Sequence, residues 1–140
     1  MTIIGVSSNK ITYDEYKYDK IYYGKEEPLC LIDSQTKNDF VKQILTKDAT
    51  YLIQGKRASE ANDTFIDNKD NPMSYFDWDL NQPLLSQEYD CICINKNQKW
   101  ETSSIYDEHY MVLEYKLKRL SDYFDNPRIY YQIFGIQEVI

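Results

Sequence analysis

The stretch that most constrains the fold of this chain is residues 89–94, Tyr-Asp-Cys-Ile-Cys-Ile. Apolar side chains occupy both its odd and its even positions, so a strand here has two apolar faces. Such strands are typical of the interior of a sheet. The stretch therefore predicts a central strand. The turn residues Asn95–Gln98 that follow predict a partner strand around Lys99–Glu101.

Two segments have the spacing of amphipathic helices. The first is predicted over residues 35–47, after a capping Asp33 or Ser34, because its apolar residues recur at intervals of one and three. The second is predicted over residues 105–124, where apolar residues recur at intervals of four and three. Its stripe consists of Tyr106, Tyr110, Leu113, Leu117, Leu120 and Phe124.

Short apolar or alternating stretches predict further strands, and the polar residues 56–72 predict a long loop. These strands are expected at residues 2–6, within 11–24, and at 29–32, 49–53, 73–80, 128–134 and 136–139. Six to eight short strands with two helices packed on them indicate an α+β fold with a mainly antiparallel sheet. The length of 140 residues is close to that of one domain, so residues 1–140 are expected to form a single domain.

The formal net charge of −7 is confined to one segment of the sequence. Residues 58–94 contain eight acidic residues and one base, whereas acids and bases balance in the rest of the chain. Charge of one sign interleaved with aromatic residues is typical of a surface that steers and anchors a partner. The predicted contacts are Asp67, Asp70, Tyr75, Asp77, Asp79, Glu88 and Asp90. The alternative is a solvated acidic loop that only keeps the protein soluble.

This pattern leads to the hypothesis of a small acidic binding protein, and not an enzyme, that neutralises a basic macromolecule. Immunity proteins, antitoxins and phage-type inhibitors of a nuclease or a nucleic-acid-binding protein have this character. The acidity argues against direct binding of nucleic acid or of an anionic membrane. No cofactor is expected, and the protein is expected to be a monomer or a homodimer.

Four other hypotheses follow from the residues. Asp77 and Asp79 share one face of a predicted strand and could hold Mg²⁺ in a metal-dependent enzyme. The predicted helix over residues 106–124 could be the seam of a homo-oligomeric structural protein. His109, the only histidine, could pair with a cysteine as a catalytic dyad or join the cysteines at a zinc site.

The location of the protein is expected to be cytoplasmic. No stretch approaches the ~20 apolar residues of a membrane span. The first residues lack the basic-then-apolar layout of a signal peptide. Cys30, Cys91 and Cys93 are odd in number, which favours buried thiols in a reducing compartment over a disulfide framework.

Overall fold

The computed structural model describes residues 2–18, 29–59, 61, 63–116 and 133–139. Within these residues the chain forms eight strands and two helices, an α+β fold as the sequence predicts. The elements are β1 (Thr2–Ser7), β2 (Ile11–Thr12), α1 (Tyr13–Tyr18), α2 (Gln35–Ile44), β3 (Tyr51–Arg57), β4 (Phe65–Ile66), β5 (Cys91–Ile94), β6 (Trp100–Ser103), β7 (Glu108–Lys116) and β8 (Ile133–Val139).

The strands form a mixed sheet in the order β6-β5-β3-β7-β1-β8, with β2 added to β7 and β4 added to β3. Strands β3 and β7 run parallel, and the other pairs of described strands are antiparallel. The prediction of a mainly antiparallel sheet is therefore confirmed. Strand β5 pairs with β3 and β6 and is buried along its length, which confirms its predicted place inside the sheet.

Apolar side chains cover both faces of the sheet and form two separate cores. One core includes Leu52, Cys93 and Met111, and the other includes Ile92 and Val112. Neighbouring residues of one strand thus enter opposite cores, as the two-residue period of a strand requires. Burial on both faces explains why the inner strands of this protein are almost continuously apolar in sequence.

Helix α2 confirms the first predicted helix, although it ends at Ile44 and not at residue 47. The Ser34 hydroxyl caps its start by accepting a hydrogen bond of 3.2 Å from the Lys37 backbone amide. The Lys37 ammonium lies 2.9 Å from the Glu114 carboxylate and ties the helix to β7. No helix within the described ranges is long and apolar enough to cross a membrane.

The second predicted helix, over residues 105–124, is wrong. Residues 105–107 form a turn, residues 108–116 form strand β7, and residues 117–124 lie outside the described residues. The homo-oligomer hypothesis required a helix over residues 106–124, and residues 108–116 form a strand instead. Strand β7 pairs with β1, β2 and β3, so apolar residues are needed on both of its faces. A strand of that kind cannot be told from a helix by periodicity alone.

The Tyr-rich stretch that begins at residue 11 also differs from its prediction as a strand. Among its described residues, 11–18, only Ile11 and Thr12 are strand, and helix α1 begins at Tyr13. The Thr12 hydroxyl accepts a hydrogen bond of 3.0 Å from the Glu15 amide, while the Glu15 carboxylate accepts one of 3.3 Å from the Thr12 amide. This reciprocal pair is a capping box, a signal present in the sequence that starts the helix. Residues 19–24 lie outside the described residues.

Candidate functional site

Residues 67–90 form a long loop between β4 and β5, without a helix or a named strand. Residues 73–80, predicted as a half-buried strand, contain only an isolated bridge from Trp78 to Trp100. Hydrogen bonds of 2.8 and 2.9 Å, from the Asp79 amide to the Trp100 carbonyl and from the Trp100 amide to the Asp77 carbonyl, hold the loop against β6. Loops fixed on a rigid sheet are frequent sites of function.

Aromatic rings anchor this loop to the sheet. Trp100 is fully buried, and its ring centroid lies 5.7 Å from that of Tyr75, 6.4 Å from Phe76 and 6.2 Å from Trp78. The Tyr75 hydroxyl donates to Gln35 at 2.9 Å, so its polar end is already bonded within the protein. Tyr75, predicted as an anchor for a partner, therefore lies in the packing that holds the loop.

The Asp77 carboxylate, predicted as a contact of a basic partner, lies against two lysines of this protein. Lys42 and Lys99 approach its oxygens to 2.8 and 2.9 Å, and the Asn38 amide donates to it at 2.9 Å. Burial alone raises the pKa of Asp77, but these three hydrogen bonds outweigh it and hold the pKa below its ordinary value. Asp77 is 15% exposed and serves as a tie between α2, the loop and β6.

Asp79 takes part in an arrangement that we call the amide bridge, made of Asp79, Asn95 and Glu101. The Asn95 side-chain amide donates to Asp79 at 2.7 Å and to Glu101 at 3.4 Å. The hydrogen bond from Asn95 is the main reason that the pKa of Asp79 lies below its ordinary value. Asp77 and Asp79 thus face different partners, and they do not converge on one point as the metal-enzyme hypothesis requires.

The other acids of the predicted surface divide into paired and unpaired groups. Asp70 lies 4.0 Å from Lys56, and Asp90 lies 3.6 Å from Arg57. One Asp67 oxygen accepts hydrogen bonds from two backbone amides of its own turn. Glu88 is exposed. The bases that meet these acids come from outside residues 58–94, so the folded surface is less acidic than the sequence segment suggests.

Arg57 clamps the end of the loop from the last position of β3. Its guanidinium donates to the carbonyl of Leu84 and, at 2.9 Å, to that of Tyr89. The side chain is 0% exposed, and its guanidinium lies 4.8 Å from the centre of the Phe65 ring. Burial lowers the pKa of Arg57 and raises that of Asp90, and their ion pair offsets only part of either shift.

The middle of the loop presents three exposed leucines, which we call the apolar tip. Leu80 is 85% exposed, Leu84 is 39% exposed and Leu85 is 62% exposed. Between them the Gln82 side-chain oxygen accepts hydrogen bonds of 3.1 Å from the Thr102 amide and hydroxyl, which fixes the tip to β6. Exposed apolar groups on a fixed backbone are typical of an interaction surface. In the sequence, two of these leucines directly follow the turn residues Asn-Gln-Pro.

A cavity of about 210 Å³ lies at the start of the loop. Its lining combines two carboxylates, a hydroxyl and a phenol with apolar side chains. The residues are Leu31, Ile32, Asp33, Asp67, Pro72, Met73, Ser74 and Tyr75. Its volume is below the ~300 Å³ at which ordinary ligand pockets begin, so it fits a single small group.

The cysteines and the histidine do not form the predicted dyad or zinc site. Burial raises the pKa of the Cys91 thiol to about 12, and it also raises the pKa values of Cys30 and Cys93. A buried thiol in such surroundings is a poor nucleophile. In the part of the chain that the structure describes, no three His, Cys, Asp or Glu side chains converge as metal ligands.

Both ring nitrogens of His109 are engaged by hydroxyl groups. Nδ1 lies 2.5 Å from the Thr50 hydroxyl, and Nε2 lies 2.9 Å from the Ser103 hydroxyl. Ser103 uses its one hydrogen toward Asp107 at 3.1 Å, so Nε2 carries the proton and donates to Ser103. Nδ1 then accepts from Thr50. His109 in its neutral form thus links Thr50, the residue before β3, to β6 and to its own strand β7.

We expect the stability of the protein to fall as the pH drops from about 7 to about 5.5, with a slope of up to ~1.4 kcal/mol per pH unit. Burial is the main cause that lowers the pKa of His109. The unfolded chain therefore takes up a proton near the ordinary pKa while the folded chain does not, which favours unfolding. Chemical denaturation across this pH range measures the effect. His109→Gln should be less stable at pH 7 but flat in this window, and a flat wild-type profile would contradict the prediction.

Comparison of the sequence with family models and with curated proteins finds no match. The structure, however, resembles solved C-type lectin domains. The mouse scavenger receptor C-type lectin carbohydrate-recognition domain matches with a TM-score of 0.72 at 15% identity, over 84% of this chain and 92% of that chain. The C-type lectin domain of murine dendritic cell inhibitory receptor 2, in complex with N-glycan, matches with a TM-score of 0.69 at 21% identity, over 83% and 91%.

A third neighbour is a Ca²⁺-dependent type II antifreeze protein in its Ca²⁺-free form. It matches with a TM-score of 0.69 at 17% identity, over 82% of this chain and 92% of that chain. The chain therefore has the C-type lectin-like fold.

These neighbours overturn the hypothesis of an immunity-type, antitoxin-type or phage-type inhibitor of a basic protein. They are described as carbohydrate-recognition and antifreeze proteins, not as inhibitors of nucleases. The structure supplies a physical reason for the error. Lys42 and Lys99 lie against Asp77, and Arg57 lies against Asp90, so the charges of these two predicted contacts are compensated inside the molecule.

Proposed function

We propose that this protein is a lectin-type binding domain that recognises a carbohydrate and performs no chemistry on it. The observation that carries the proposal is the fixed loop at residues 67–90, which presents the apolar tip and forms the amide bridge together with Asn95 and Glu101 of the β5-β6 hairpin, on a C-type lectin-like fold. Carbohydrates offer hydroxyl groups for carboxylates and amides, and C–H surfaces for apolar side chains. The loop provides both kinds of group.

Preorganisation of the loop supports the proposal. Rigid binding groups lose little conformational entropy when a ligand binds, which matters for ligands that make few strong contacts. Arg57 fixes the end of the loop, Trp100 fixes its middle, and Gln82 joins the tip to β6. The exposed side chains are therefore held by a backbone that does not need to be ordered on binding.

The charge of the loop also limits which carbohydrates are plausible ligands. The cavity at the start of the loop is lined by Asp33 and Asp67 and by no basic side chain. The amide bridge contributes two further carboxylates near the tip. Carboxylates accept hydrogen bonds from hydroxyl and ammonium groups and repel anions. We therefore propose neutral and amino sugars as ligands, and not sialylated or sulfated ones.

A glycan array, followed by titration calorimetry on the best hits, tests this function. We expect binding of neutral or amino glycans that is lost in the double variant Leu80→Asp/Leu85→Asp, because two charges replace the exposed apolar groups. Thr36→Asp/Gln43→Glu is the matched control, since it adds the same two charges at exposed positions of α2. Array-wide absence of binding, or equal loss in both double variants, would contradict the proposal. Ser74→Phe, which fills the cavity, distinguishes binding in the cavity from binding at the apolar tip. Loss of glycan binding in Ser74→Phe, with binding retained in the leucine double variant, would place the sugar in the cavity.

A further inference from the structure

We infer that the loop of this protein is built without a divalent cation, because the Asn95 side-chain amide fills the space between the Asp79 and Glu101 carboxylates. One fold neighbour is described as Ca²⁺-dependent. The relevant property of this chain is therefore whether its loop offers the oxygen ligands that Ca²⁺ requires. This inference deepens the proposed function. Of its tests, only the measurement of glycan affinity rests on the proposed function.

The orientation of the Asn95 amide is fixed by its own turn. Its side-chain oxygen accepts hydrogen bonds of 2.9 Å from the Asn97 amide and 3.2 Å from the Lys99 amide. Backbone N–H groups can only donate, so this end of the side chain must be the oxygen. The nitrogen is therefore the end that points away from the turn, toward the two carboxylates.

The nitrogen places one N–H toward each carboxylate. It lies 2.7 Å from Asp79 Oδ2 and 3.4 Å from Glu101 Oε2. The two carboxylates are thereby joined by a group of positive partial charge, which is the electrostatic task that a cation performs between acids. A Ca²⁺ ion needs six to eight oxygen ligands, whereas Asn95 offers hydrogens to this space and uses its oxygen elsewhere.

Each remaining carboxylate oxygen of this cluster also accepts a hydrogen bond within the protein. Asp79 Oδ1 accepts a hydrogen bond of 2.8 Å from the Leu80 amide. Glu101 Oε1 accepts a weak one of 3.8 Å from the Cys93 thiol. The Gln82 side-chain oxygen, a further ligand type on the loop, accepts hydrogen bonds from the Thr102 amide and hydroxyl. The residues present therefore do not fit Ca²⁺, and the loop is held by hydrogen bonds, ion pairs and aromatic packing within the protein.

The Asn95→Asp variant reverses this arrangement with a change of one atom. It removes both N–H donors and leaves the three carboxylates of residues 79, 95 and 101 around one space. Repulsion between these groups should lower the melting temperature by a few degrees in the absence of divalent cations. Ca²⁺ binds clusters of carboxylate oxygens that have no N–H group between them. Added Ca²⁺ should therefore restore the melting temperature of this variant.

Thermal unfolding in EDTA and in millimolar Ca²⁺ tests the inference on the wild type, Asn95→Asp and Asn95→Ala. We expect the same melting temperature in both buffers for the wild type and for Asn95→Ala, and a Ca²⁺-dependent rise for Asn95→Asp. A rise for the wild type would overturn the inference, and no rise for Asn95→Asp would overturn the role given to Asn95. If Asn95→Asp does not fold, calorimetric titration of the wild type with Ca²⁺ decides, since saturable heat that disappears in Asp79→Asn would overturn the inference.

The ligand measurement is separate from the thermal one. The glycan bound by the wild type should bind with unchanged affinity in EDTA, and a tenfold or greater loss in EDTA would overturn the inference. If no glycan binds in either buffer, the proposed function fails, while the thermal measurements still test the cation-free loop. The two failures are therefore distinguishable.

Discussion

Trp100→Ala is expected to lower the free energy of unfolding by about 4 kcal/mol. The indole is fully buried, and it contacts the rings of Tyr75, Phe76 and Trp78, which belong to the long loop. Alanine leaves a cavity on β6 and removes the surface on which the loop rests. It also removes the 3.3 Å hydrogen bond from the indole N–H to the Asn38 oxygen, which leaves a buried acceptor without this donor.

Chemical denaturation followed by far-UV circular dichroism measures this loss. Trp78→Ala is the matched control, because it removes the same ring from a half-buried position and should cost less. Trp100→Phe separates the two causes: it keeps an aromatic ring and loses the N–H, so about 1–2 kcal/mol should be lost. A cost for Trp100→Ala that does not exceed that of Trp78→Ala would contradict the role of Trp100 as the anchor of the loop.

The sequence predicts the elements whose signals are local. Helix α2 has a capping serine and a regular apolar spacing, and the hairpin of β5 and β6 has turn residues between two short strands. Strand β7 was mistaken for a helix because its partners lie far away in sequence. Strand β7 pairs with residues 2–6, 11–12 and 51–52. Burial among these distant partners explains why both faces of β7 are apolar. The spacing of apolar residues within 105–124 does not indicate which distant segments pair with this strand.

The candidate site was predicted only in position. The acidic segment 58–94 does contain the long loop, and the predicted Asp70 and Glu88 face solvent. Asp77 does not, and the exposed leucines are not indicated by charge. Asp77 is held by Lys42 and Lys99, which are 35 and 22 positions away in sequence. A count of charge along the chain cannot include such long-range pairs. The exposed leucines were missed for the opposite reason, because apolar residues beside a turn are usually buried in the nearest strand.

Arg57→Met is expected to lower the free energy of unfolding by about 3 kcal/mol. The methionine keeps much of the apolar length of the side chain but removes the donors to the Leu84 and Tyr89 carbonyls. It also leaves Asp90, which lies 3.6 Å from the guanidinium, without its cation. Removal of one partner of a buried pair costs more than removal of both, because the remaining charge stays desolvated. Since the Asp90 side chain is 36% exposed, the cost should fall at the lower end of that range.

The double variant Arg57→Met/Asp90→Asn tests this explanation. It removes the unpaired charge and should recover part of the stability, whereas the carbonyls of Leu84 and Tyr89 stay without their donor. The loop should therefore remain loose in both variants, with faster amide hydrogen exchange in residues 84–90 than in the wild type and little change in β5. The proposed glycan binding should weaken as this exchange becomes faster, because the apolar tip depends on the fixed backbone. Unchanged exchange in residues 84–90 of Arg57→Met would contradict the clamp, and a double variant no more stable than Arg57→Met would show that the Asp90 charge contributes nothing to the cost.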